Sequence, residues 1–179
     1  MPRVVYRHEP ADRFIVSSIG EPGQREFFIQ VRSAEGINTI GVEKEQVRAL
    51  IIRLEELVTD LRRSGQISKE SGRGNLVIDN DPLELPIESD FDVGVIGINW
   101  INNQIEIVFQ AISSQDEVLL DDFDAGPDQI IIKCEIGLAM AFCTRGKNLI
   151  ASGRSACPFC GLPINMDGHL CPRANGYRR

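Results

Sequence analysis

Residues 14–63 read FIVSSIGEPGQREFFIQVRSAEGINTIGVEKEQVRALIIRLEELVTDLRR, and a change of period inside this stretch decides the fold class. Phe14 to Gly20 alternates apolar and small polar residues, as a half-buried strand does. Glu21-Pro22-Gly23-Gln24 has turn chemistry, Glu26 to Arg32 forms a second strand, Glu35-Gly36 turns again, and Ile37 to Val42 gives a third. From Glu43 onward Val47, Leu50, Ile51, Leu54, Leu57, Val58 and Leu61 recur at three- and four-residue steps, the period of an amphipathic helix. Arg62 and Arg63 suit its negative end, and Gly65 stops it.

Working outward, residues 65–90 are rich in Gly, Ser, Asn, Asp and Pro and read as a linker, with PLELPIE lying extended on the body. The pattern then returns. Phe91 to Ile98, Gln104 to Ser113 and Gln129 to Glu135 read as three strands, and Ile136 to Ile150 as a weaker helix. Phe14 and Phe91, Val16 and Val93, and Gly20 and Gly97 fall in step, so 13–64 and 91–150 are possible strand-strand-strand-helix repeats. The expected fold is α+β: an antiparallel sheet covered by two helices forms a body over 1–153, followed by a small metal-binding tail over 154–179.

Composition narrows the function. The chain has 179 residues, long enough for a core of its own, with 42% apolar and 25% charged residues. No apolar run has signal-peptide or membrane-span length, which gives the expectation of a cytoplasmic protein without membrane contact. From Ala151 onward four arginines face one aspartate, a balance of +3 that leaves −10 for the rest of the −7 total. Such an acidic body disfavours nucleic-acid binding except through the basic tail.

The tail reads CPFCGLPINMDGHLCPRANGYRR. Cys157, Cys160, His169 and Cys171 give C-x2-C-x8-H-x-C, with Gly161 in the tight turn after the first pair. Three thiolates and an imidazole make the four-coordinate Cys3His set of structural zinc, and iron suits the same ligands. With every position filled by protein, no site is left for an activated water, so a catalytic metal is not expected. A thioredoxin-like pair would need a helix after the second cysteine, and GLPINMDG does not supply one. A fragment this short has almost no core, so the metal must supply its folding energy. Cys134 and Cys143 sit among apolar neighbours and read as small buried hydrophobes.

Other residues carry less. Asp116, Glu117, Asp121, Asp122, Asp124 and Asp128 lack EF-hand spacing and read as a solvated acidic loop. His8 reads as a surface histidine and Trp100 as packing at a strand end. There is no P-loop, and no Ser-His-Asp or Cys-His set emerges, so the reading leans away from an enzyme. Arg173, Asn175, Tyr177, Arg178 and Arg179 after the last ligand are candidates for contact with an acidic partner or a phosphate. They can equally fold back on the acidic body or stay unstructured.

MPRVVYRHEPADRF, VEKEQVRALIIRLEEL, PLELPIESDFDVG and the CPFCGLPINMDGHLCPRANGYRR end together resemble the bacterial, mainly actinobacterial, domain-of-unknown-function 3090 family. The resemblance spans nearly the whole chain. It covers the four metal ligands and Arg173, Asn175, Gly176 and Tyr177, while IGLAMAFCTRGKNLI is less charged than the family's second helix. It implies no particular reaction. The expectation is a non-enzymatic protein that binds an unidentified protein partner. A small-ligand site between sheet and helices, or nucleic-acid contact through the tail, are the alternatives.

Overall fold

The structure is a computed structural model that describes residues 3–74, 76–113, 126–164 and 168–173. Among these residues seven strands and two α-helices follow one another as β1 (Val5–His8), β2 (Arg13–Ile19), β3 (Glu26–Ser33), β4 (Gly36–Val42), α1 (Lys44–Arg63), β5 (Phe91–Ile101), β6 (Gln104–Ala111), β7 (Gln129–Cys134) and α2 (Ile136–Ala151). The α+β class is as expected. The sheet is mixed rather than antiparallel, in the order β1-β7-β6-β5-β4-β3-β2. Two antiparallel meanders, β2-β3-β4 and β5-β6-β7, meet where β4 pairs in parallel with β5 through Ile40↔Phe91 and Gly41↔Asp92. A parallel neighbour needs a crossover, and α1 provides it. The second parallel pair is β1 with β7, Val5↔Gln129 through His8↔Ile132.

The aligned repeats do not sit alike. Gly20 ends β2 with φ +99°, whereas Gly97 lies inside β5, which runs on to Ile101. Asn102 and Asn103, both with positive φ, close the β5–β6 hairpin as a two-residue turn.

β1 and β2 stand at opposite ends of the strand order but are joined by only four residues, 9–12. That link reaches at most about 18 Å, whereas a flat seven-stranded sheet is about 29 Å across. The sheet therefore curls until its ends meet. The seam is bonded: Ala11 N–H donates to Lys133 O on β7 and Asp12 N–H to Arg32 O on β3, each at 2.9 Å.

The core lies between the curled sheet and the helices. Phe14 stacks on Phe142 of α2 with ring centroids 4.1 Å apart and meets Phe109 of β6 at 6.4 Å. α1 buries Val47, Leu50, Ile51, Leu54, Val58 and Leu61. At about 1.5–3 kcal/mol per buried side chain, this stripe far outweighs an N-terminal cap worth about 1 kcal/mol. The cap instead sets where the helix begins. Glu43 N–H donates to Gln46 Oε1, and Gln46 Nε2 donates on to Val93 O, fixing the start of α1 against β5. α2 is held at its far end by Arg25, which donates to the carbonyls of Leu149 and Ser152.

The sequence reading is corrected here at His8, whereas Trp100 packs near a strand end as expected. His8 is not a surface residue, being 1% exposed. It lies on β1, which was not read as a strand, where Arg7 and Glu9 pair with each other and Lys133 with Glu9. Trp100 lies within β5 and packs against the core. Of the linker, Asp79 and Glu84 face Arg13, Glu84 N–H donates to Gln30 Oε1, and Leu83 is buried.

Candidate metal centre

α2 ends at Ala151, and the chain then folds into a small hairpin that carries the first ligand pair. Ala156 and Pro163 form an isolated antiparallel bridge, Cys157 N–H donates to Leu162 O at 2.8 Å, and Ile164 N–H donates to Ser155 O at 2.9 Å. The turn between them is closed by Gly161 N–H to Cys157 O at 2.8 Å, with Gly161 at φ +74°. A side chain at that φ would be strained, and this explains the glycine directly after Cys160. Gly168, at φ +80°, precedes the second pair, His169 and Cys171. Arg173 Nη1 donates to Phe159 O at 3.2 Å and ties the second loop to the first.

The four ligand atoms of Cys157, Cys160, His169 and Cys171 lie within 4.8 Å of one another. Cys160 Sγ is 3.2 Å from His169 Nε2, and Cys157 Sγ is 3.8 Å from Cys171 Sγ. Two thiolates bound to one tetrahedral zinc at about 2.3 Å would stand about 3.8 Å apart. The donor set and spacing thus fit a zinc ion, and iron would take the same donors. Cys157 and Cys171 are buried, while Cys160 and His169 are half-buried. Burial pushes the Cys157 thiol up, but the amides of Cys160 and Phe159 and the neighbouring thiols outweigh it, and its net direction is down. Backbone N–H groups aimed at sulfur favour the thiolate that a metal requires.

Cys134 and Cys143 lie far from this chemistry. Both are free and buried, and burial pushes each thiol up to about 12. Of the proposed contact residues after the last ligand, Arg173 is bonded within the module; Asn175, Tyr177, Arg178 and Arg179 fall outside the described residues. So do most of the acidic loop's carboxylates. Asp128, which is described, accepts Val4 N–H.

Sequence reasoning missed two further features. The first is a chain of polar groups that runs from buried Ser33, His8 and Asn38 out to exposed Asp90: Ser33 Oγ to His8 Nδ1 at 2.7 Å, His8 Nε2 to Asn38 Oδ1 at 2.8 Å, and Asn38 Nδ2 to Asp90 Oδ2 at 3.0 Å. The Asp90 carboxylate only accepts, so the Asn38 amide nitrogen must face it, and His8 Nε2 must carry the proton donated to Asn38 Oδ1. Between His8 Nδ1 and the Ser33 hydroxyl either group can be the donor. The second is a cleft of about 660 Å³ where β4 passes into α1, lined in part by Arg25, Phe28, Gly41, Lys44, Asp92 and Arg154. None of the four residues in the polar chain lines it. Its position was not readable because its walls come from β3, β4, β5 and the end of α2.

No described helix is long and apolar enough to cross a membrane. No curated protein and no solved structure matches the chain. The model of a family described as "Protein of unknown function (DUF3090)" matches residues 6–171, a span that takes in all of the curled sheet but Val5, both helices and all four candidate ligands, and the chain therefore belongs to that family.

Proposed function

We propose that the chain is a non-enzymatic, cytoplasmic binding protein whose C-terminal module is held by one structural zinc ion and presented to a protein partner. The supporting observation is a contrast within the module. Its four ligands turn inward on one point, while Phe159, Leu162 and Leu170, which flank them, are 65%, 49% and 86% exposed. A metal in that position replaces the core the module lacks, which frees its apolar side chains for display. Among the described residues, no hydrogen bond runs from 155–173 to the body, which supports reading the module as a unit of its own. Arg154 and Arg173 add positive charge and favour an acidic partner. Pull-downs with the full-length chain and with a Phe159→Ser, Leu170→Ser variant test the reading. Loss of specific partners in the variant, with zinc content unchanged, supports it. Identical partner sets would sink it.

The cleft supports a second reading, a small-ligand site. Its mixed lining of Arg25, Lys44, Asp92 and apolar Phe28 is of the kind that orients a polar metabolite. A thermal-shift screen of small anionic and zwitterionic compounds, repeated on Lys44→Ala, distinguishes the two readings. A shift lost in Lys44→Ala favours the cleft.

A further inference from the structure

β5 is the longest strand, eleven residues, yet β4 pairs with only its first two. Beyond Asp92 its β4-side edge has no partner strand among the described residues. The backbone groups on this edge can be identified from the hairpin. The two-residue turn makes Ile101 and Gln104 a hydrogen-bonded pair, so Ile101, Asn99, Gly97 and Val95 turn their N–H and C=O groups toward β6. Ile96, Ile98 and Trp100 turn theirs the other way, into the open edge. An unpaired edge invites another strand, and proteins usually blunt such edges with charge or proline. Here 93–103 reads VGVIGINWINN, with no ionisable side chain and no proline. The one irregularity, a bulge between Val93 and Val95, lies at the end where β4 leaves off, and the strand is regular beyond it.

We propose that this edge is a homodimer interface, in which β5 pairs antiparallel with β5 of a second copy about a two-fold axis through Ile98. The register singles out a second copy. Centred on Ile98, the two-fold sets Ile96 opposite Trp100 of the second copy and Gly97 opposite its Asn99. It also sets Val95 opposite Ile101 of the second copy, and Ile101 opposite its Val95. Val95 and Ile101 are the two large apolar side chains that β5 leaves exposed, at 37% and 38%. Each would thus cover the other. Ile98 with Ile98, and Ile96 with Trp100 in both directions, would exchange about six backbone hydrogen bonds and merge the two sheets into one. The edge carries no charge, so two chains of net −7 bring no like charges together in this register. An isologous contact of this kind closes on itself and stops at two copies.

The test uses the full-length, zinc-loaded protein and measures mass by light scattering and sedimentation over a concentration series. The expected species has twice the 19.9 kDa chain mass. Val95→Lys with Ile101→Lys sets lysine against lysine at both contacts and should weaken association by up to about 30-fold. Val95→Lys with Ile101→Glu sets lysine against glutamate in this register and should restore the dimer. Both positions are exposed, and circular dichroism checks that the variants stay folded. A wild-type monomer up to about 100 µM, a dimer untouched by the double-lysine variant, or no rescue by the lysine–glutamate variant would each overturn the proposal. An open series of larger species would do so too.

Discussion

The Arg13 guanidinium rests on the Asp79 carboxylate, with Nε 2.5 Å from Oδ2 and Nη2 3.2 Å from Oδ1. Arg13 opens β2 and its side chain is only 7% exposed, whereas Asp79 belongs to the segment that returns from α1 to β5. Nη2 of Arg13 also donates to the carbonyls of Asp81 and Pro82, and Arg145 of α2 reaches Asp79 O and, at 3.5 Å, its Oδ1. One carboxylate thus joins the strap, the sheet and a helix. Asp79→Asn leaves two arginines facing a neutral amide. It should cost about 1–3 kcal/mol, read as a lowered urea midpoint.

The same pair carries a pH dependence. The Arg13 hydrogen bond, acting against burial, holds the Asp79 carboxyl below its ordinary value of 3.8. A carboxyl held down in the folded state adds stability above its unfolded value and loses it as the pH falls through the lower folded value. The gap between wild type and Asp79→Asn should therefore be constant above about pH 5 and close as the pH falls below 3.8, the ordinary carboxyl value. Denaturant midpoints at several pH values measure it. A gap that widens in acid would contradict the assignment.

His8 makes a second prediction at the seam. His8→Phe keeps the ring's bulk but takes the imidazole from Ser33 Oγ and Asn38 Oδ1 in a buried place, while Asn38 Nδ2 keeps Asp90 and Ser33 Oγ keeps the Glu35 N–H. The expected loss is about 1–3 kcal/mol for each stranded group. Ser33→Ala should cost less, because His8 keeps Asn38 and only Nδ1 is orphaned. Because the seam holds β1 against β3 and β4, amide exchange in β1 should speed up more than in α1.

Much of this was legible in the chain, and the part that was not has physical reasons. Alternating residues in β6 and the three- and four-residue steps of α1 follow from one buried face per element, and local sequence records that, whereas β2, β4 and β7 bury runs of four or five consecutive residues. The ligand spacing of Cys157, Cys160, His169 and Cys171 is local too. The β4–β5 junction rests on two register pairs between strands separated by 48 residues of helix and strap. Nothing in either strand alone specifies it. β1 was hidden because its charges are paired, Arg7 with Glu9 and Glu9 with Lys133 of β7, and because its one buried polar side chain, His8, is satisfied by residues 25 and 30 positions away.

Gly146 illustrates the same point and gives a prediction of opposite signs. From sequence, a glycine in α2 only weakens a helix. In the structure, a Cβ at Gly146 would stand 2.7 Å from Ile51 Cδ1 and 3.3 Å from Val16 Cγ1, both in the core. Gly137, in the first turn of the same helix, has nothing within 4 Å. Gly146→Ala should destabilise by about 1–3 kcal/mol through overpacking, while Gly137→Ala should stabilise by a few tenths up to about 1 kcal/mol. Thermal midpoints of the two variants decide it, and equal signs would mean that α1 and α2 do not approach as closely as Gly146 allows.

The five thiols should divide into two groups by reactivity. Cys134 and Cys143 are buried in the body, with their thiols pushed up to about 12, so almost no thiolate forms near neutrality. Cys157, Cys160 and Cys171 converge with His169 on one point outside the core cluster. A zinc-loaded sample should contain one metal ion per chain and show slow alkylation at all five positions. Chelation should release three fast-reacting thiols, located by mass spectrometry at Cys157, Cys160 and Cys171, and leave Cys134 and Cys143 slow until denaturant is added. Amide exchange after chelation should rise over 155–173 and stay protected in β6, β7 and α1, because no described hydrogen bond links that module to the body. Fast labelling of Cys134 and Cys143 on chelation alone would mean that the metal holds the whole fold. The module would then be part of the core rather than a unit attached to it.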